Sequence, residues 1–194
     1  MRPVRPAIVH VLRSTPVVMF VLLLSCAGGD GSRNAAESGE TAITAEQAGA
    51  AVADAMLVTS QALYMAIASG VAERSVATND GRLKLVWSEE ADFITGAGLY
   101  EITLAAYTIP EDDPFAPHYH GYEFTGSIRL LSNTGERTQL IFDLQCAHED
   151  PERHPVRSIE LDLAGFADDV ERRTEGAVLV NGREFTFGEL ADAF

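Results

Sequence analysis

Apolar positions along the chain change period twice. From Thr44 to Gly70 they recur at helical spacing, with Val52, Met56, Leu63 and Ile67 near one face and Ala45 and Ala48 extending it. Thr44-Ala45-Glu46-Gln47 has the form of a capping box, so the helix is expected to start there. Its second half, Ala62 to Ala68, is apolar almost all round, which predicts burial on more than one side. Asp54, Ser60 and Gln61 argue against a membrane span.

From Gly81 onward the period becomes two. Leu83, Leu85, Trp87, Ala91 and Phe93 alternate with Lys84, Ser88, Glu90 and Asp92, and Tyr100, Ile102, Leu104 and Ala106 with Glu101 and Thr103. Further strands are expected over 118–131, 137–146 and 156–163, and Asn181-Gly182 between AVLV and REFTF marks a tight hairpin. Residues 188–194 are expected to end as a short helix. Strands that alternate cleanly bury one face each, as in an antiparallel meander. The predicted fold is α+β: a long N-terminal helix packed on a curved antiparallel meander sheet of six or seven strands, wrapped so that the helix lies on its concave side.

The first 25 residues follow neither period. Arg2, Arg5 and Arg13 precede a continuous apolar run, Val17 to Leu24, and small residues follow. The run is far shorter than the roughly 20 residues of a spanning helix. A basic zone, a short apolar zone and a small-residue exit define a secretory signal peptide. Leu23-Leu24-Ser25-Cys26 resembles the lipobox of bacterial lipoproteins, although Leu24 stands where such boxes more often carry Ala, Ser or Thr. The resemblance covers only this segment. It implies cleavage before Cys26, a diacylglycerol thioether on its sulfur and an acylated amino terminus. Ala27, rather than Asp, after the cysteine implies onward export to the outer membrane in a bacterium with two membranes. The alternative is ordinary cleavage after Ala27. Residues 28–40 lack large apolar side chains and read as a flexible tether. The expected organisation is a signal peptide over 1–25, a tether with lipidated Cys26 over 26–43, and one α+β domain over 44–194.

Charge sharpens this picture. The whole chain carries −15; residues 1–25 contribute three arginines and no acid, so the remainder carries −18. That balance argues against a nucleic-acid partner. With Cys26 given to lipid, Cys146 is left alone, so no internal disulfide is expected and Cys146 reads as a small buried hydrophobe. No Gly-x-Ser-x-Gly or Cys-x-x-Cys sequence is present, and Gly96-Ala97-Gly98 does not open a helix.

One constellation has the makings of chemistry. A hairpin with the three-residue loop Asn133-Thr134-Gly135 pairs Ser132 with Glu136 and keeps the even-numbered apolar positions on one face. Extended, this register places Tyr122 opposite Cys146, His120 opposite His148 and His118 opposite Asp150. His118, His120, His148 and Asp150 are therefore candidate ligands for zinc or another divalent transition metal. The acidic loops 110–117 and 147–155 lie at the same end and read as solvated turns. Two functions compete. The first is a non-enzymatic, lipid-anchored envelope lipoprotein that binds a protein partner or a small apolar ligand, with no cofactor. The second is a metal-binding or metal-dependent protein that uses the histidine cluster.

Overall fold

The computed structural model describes residues 43–69, 74–93, 97–114, 116–133, 137–165 and 175–191. The expected signal peptide, Cys26 and all of the expected tether but Ile43, which is buried in the core, lie outside them.

Helix α1, Ala45–Ala68, opens with the expected capping box: the Thr44 hydroxyl accepts from the Gln47 N–H, and the Gln47 side chain accepts from the Thr44 N–H. Eight strands follow: β1 Ser75–Ala77, β2 Leu83–Trp87, β3 Gly98–Tyr107, β4 Glu123–Asn133, β5 Arg137–Ala147, β6 Ser158–Gly165, β7 Glu175–Val180 and β8 Arg183–Phe185. They pair antiparallel in chain order as one meander sheet. A short helix α2, Phe187–Ala191, closes the described chain, with Thr186 capping it through the Glu189 N–H. The sheet thus has eight strands, not six or seven. The additional one is the three-residue edge strand β1, too short to show a period of two.

The register stacks the apolar positions in rows across the strands. Leu85, Ile102, Ile128, Phe142, Leu161, Val178 and Phe185 form one row from β2 to β8. Trp87, Tyr100, Leu130, Leu140 and Leu163 form the next. All of these side chains are buried in one core with α1. The opposite face carries Lys84, Thr103, Ser127, Asp143 and Glu160 in register, as the alternation requires.

Helix α1 matches the length and apolarity of a membrane span, but most of its apolar surface is inside this fold. From Ala48 to Leu63 no residue is exposed. Beyond Leu63 the helix is exposed on one side, where Tyr64 and Ile67 are each 39% exposed, while Ala66 stays buried. Burial of Ile67, expected from the apolar second half, therefore does not hold. The last turn is exposed on the side of Ile67 and buried at Ala66, with Met65 packed against the core.

Three boundaries differ from the sequence reading for local reasons. Strand β2 ends at Trp87 because Ser88 opens a turn in which its carbonyl accepts from the Ala91 N–H. In β3 a bulge between Leu104 and Tyr107 inserts one residue, so Tyr107 and not Ala106 enters the core, and Ala106 takes φ 51°. Strand β4 starts at Glu123, leaving His118 at the end of a 3₁₀ turn, Ala116–His118.

Candidate functional site

The sheet end that carries Tyr107, Phe124 and Cys146 is closed by the β3–β4 and β5–β6 connections, and α1 crosses beneath both. Three polar residues of α1 meet these loops at seven-residue intervals. The Gln47 amide donates to the Arg153 carbonyl at 3.3 Å. Asp54 accepts from the 120–122 segment. Gln61 accepts from the Tyr107 hydroxyl at 2.6 Å and donates to Asp113 at 2.6 Å. Seven residues are two helical turns, so these side chains lie along one stripe.

Asp54 is the centre of the stripe. It is 0% exposed. Its Oδ1 accepts from the His120 N–H and from His120 Nδ1, both at 2.8 Å, and its Oδ2 accepts from the Tyr122 N–H at 3.1 Å. Gly121, at φ +99°, lets the amides on either side of it converge on one carboxylate, forming a small anion-binding nest. Burial pushes the Asp54 carboxyl above the ordinary carboxylate range, and the donors from His120 and Tyr122 partly offset that rise.

The histidines divide into distinct roles. His120 is 45% exposed and turns its Nδ1 to Asp54. His148 donates from Nε2 to the His120 carbonyl at 2.9 Å and accepts at Nδ1 from the Asp150 N–H at 2.9 Å. Both of its ring nitrogens are thereby engaged. His154 stacks on His148 with ring centroids 3.8 Å apart, and both rings meet Tyr122 edge-on. Burial, and then the neighbouring His148, hold His154 below the ordinary imidazole range. His118 is exposed at the end of its 3₁₀ turn. The Asp150 carboxylate accepts from the Arg153 N–H at 3.1 Å.

Around them the site is apolar and hard to ionise. Burial pushes the Tyr107 and Tyr122 hydroxyls and the Cys146 thiol each up to about 12. Tyr119 is raised for the same reason, and its hydroxyl donates to the Tyr122 carbonyl. The Tyr122 hydroxyl is buried beside the Val156 backbone without a well-aligned partner. Cys146 is a free, buried cysteine.

The hairpin register is offset from the expected one by two residues. Ser132 pairs with Thr138 and Phe124 with Cys146, and pairing ends at Glu123 and Ala147. Strand parity is kept, because a one-residue slip would have inverted the faces, but parity alone leaves the two-residue choice open. The ladder therefore does not carry His120 opposite His148 or His118 opposite Asp150. His120 and His148 are still neighbours, through backbone and ring. Among the described residues, no group of three or more His, Cys, Asp or Glu side chains is placed to hold one ion.

Asp54 and His154 were not among the candidates read from the sequence. The available signal was the recurrence of Gln47, Asp54 and Gln61 every seven residues in a largely apolar helix. Comparison with known proteins gives no matching family model, no similar curated protein and no similar solved structure. The functional reading therefore rests on this chain's own residues.

Proposed function

We propose that this chain is an exported, lipid-anchored envelope lipoprotein whose folded domain is a binding module for a protein partner or a small apolar ligand. The observation that carries the reading is Leu23-Leu24-Ser25-Cys26 at the end of the apolar run Val17–Leu24, behind three arginines and ahead of a Gly- and Ser-rich tether. Lipid on Cys26 exceeds the two-signal threshold for stable anchoring, and the outer membrane is the proposed destination. Cys26→Ala tests the anchor. It is expected to move the protein from the membrane fraction to the soluble fraction with the leader removed, as read by intact mass. A cleaved variant that stays in the membrane contradicts the reading.

One observation favours a second reading, a site for zinc or another divalent transition metal. The carboxylate–imidazole contact of Asp54 with His120 leaves Nε2 free, as in histidines that ligate metals through that nitrogen. Calorimetric titration with Zn²⁺ tests it: saturable uptake near one ion per chain, lost in His120→Ala, supports the metal reading, and no uptake contradicts it.

A further inference from the structure

The face of the sheet turned away from α1 carries an apolar patch with charges set around it. Val86, Leu99 and Leu131 stand out from it at 38%, 36% and 42% exposure, and Ile141 is half-buried beside them. The register fixes their layout. Leu99 on β3 stands opposite Leu131 on β4, and Val86 on β2 shares a row with Glu101, Arg129 and Ile141 on β3, β4 and β5. The next row of this face runs Lys84, Thr103, Ser127, Asp143. Across the line between β3 and β4 the rows are matched in kind and opposed in charge: Leu99 mirrors Leu131, Val86 mirrors Ile141, Glu101 mirrors Arg129 and Lys84 mirrors Asp143. One strand further out, Ser75 on β1 mirrors Asp162 on β6, and Ala77 mirrors Glu160, so no like charges are set against each other. No ion pair among the described residues engages these four charged side chains of β2 to β5.

We infer that this face is an interface with a second copy of the chain, built on a two-fold axis that runs parallel to the strands between β3 and β4. Such an axis lays β3 of one protomer over β4 of its partner and β2 over β5, and it preserves position along the strands. A two-fold interface joins one patch to itself, so every contact occurs twice. Glu101 then faces Arg129 of the partner subunit, and Lys84 faces Asp143 of the partner subunit. Leu99 covers Leu131 of the partner subunit, and Val86 covers Ile141 of the partner subunit. Sheets stacked in this way keep their strands within about 30° of each other and lie about 10 Å apart. Burial of the aliphatic side chains drives the contact, and the charges set its register. Charge complementarity is what selects a second copy over a foreign partner. A chain at −15 repels copies of itself except where opposite signs are placed to meet, and here they stand at symmetry-related positions. The interface requires only the sheet, and the lipid anchor is no part of it.

The test is sedimentation equilibrium of the full chain in density-matched detergent, with micelles in excess over protein. The expected result is a concentration-dependent protein mass that reaches twice that of one chain. Glu101→Arg sets like charges against each other at both copies of that contact, and Arg129→Glu does the same with the opposite sign. Each variant alone is expected to weaken self-association by about tenfold or more. An equimolar mixture of the two is expected to recover the dimer, because each presents the sign the other lacks. Damage to the fold of a single chain would not be repaired by mixing. If either variant fails to fold, Lys84→Glu and Asp143→Lys make the same exchange at the outer contact. A wild type that stays monomeric, single variants that dimerise as the wild type does, or a mixture that stays monomeric overturns the inference. None of those results bears on the anchor, which Cys26→Ala decides separately.

Discussion

The middle of the sheet and its histidine-bearing end are built on different principles. In the middle, Leu85, Ile102, Ile128, Phe142 and Leu161 fill one row with apolar side chains, each supplied by a strand whose alternation already faced it inward. At the end, single polar contacts carry the arrangement: one carboxylate, one glycine and two engaged imidazoles. Burial in the middle is collective, so its energy is spread over many side chains. At the end it is concentrated in a few groups whose partners cannot be exchanged. Disturbing the middle should therefore affect the whole fold, and disturbing the end should affect a corner.

The largest effect is expected from Val58→Asp. Val58 is fully buried on α1, and an unpaired charge there costs several kcal/mol, comparable with a domain's whole stability of about 5–15 kcal/mol. Loss of the cooperative melt is expected, whereas Ile67→Asp on the exposed side of the last turn should shift stability by no more than about 0.5 kcal/mol. Equal damage from the two would erase the distinction between the enclosed and the exposed side of the helix. Asp54→Ala comes next. It leaves two backbone N–H groups and an imidazole without their acceptor, for a loss of about 3 kcal/mol in denaturant unfolding. Gly126→Ala belongs to the middle of the sheet yet acts through a single residue. Gly126 has φ +137°, and a Cβ there would collide with the Asp143 carbonyl oxygen. A loss of about 1–3 kcal/mol is expected, and an unchanged denaturation midpoint would contradict the strained backbone.

The smallest effect concerns pH. His154 lies below the ordinary imidazole value of about 6.5, so its folded form binds protons less readily than the unfolded chain. Its contribution to stability is complete above that pH and is lost as pH falls through the folded value. Melting curves between pH 7 and 5 should show a shallower decline in His154→Gln than in the wild type. Asp54 works in the opposite direction. A carboxyl raised by burial contributes stability below its ordinary range and loses it as pH rises through the folded value, which moderates acid unfolding.

The same division explains what was legible in the sequence. Alternation at Leu83–Trp87, Tyr100–Leu104 and Ile159–Leu163 fixed which face is buried, and the Thr44–Gln47 box and Asn181-Gly182 placed a helix start and a turn. Periodicity of two carries parity but not absolute register, so the β4–β5 offset was hidden, and with it the true neighbours of His120. The bulge at Ala105–Ala106 and the edge strand β1 lack a periodic signal of their own. Asp54 had a signal, but one whose meaning depends on where the β3–β4 and β5–β6 connections arrive. Its position argued against a membrane span; the chain pattern alone did not show that it gathers the 120–122 amides.

The claim on which the candidate site depends is that buried Asp54 holds the His120–Tyr122 segment. Site-resolved amide hydrogen exchange measures this directly, because both amides lie outside the strands and donate to that carboxylate. The account predicts that the His120 and Tyr122 amides are protected in the wild type and lose that protection in Asp54→Ala, while the amides of Ile128 and Phe142 remain slow relative to global unfolding. Rapid exchange of His120 and Tyr122 in the wild type, or protection unchanged in the variant, would contradict it.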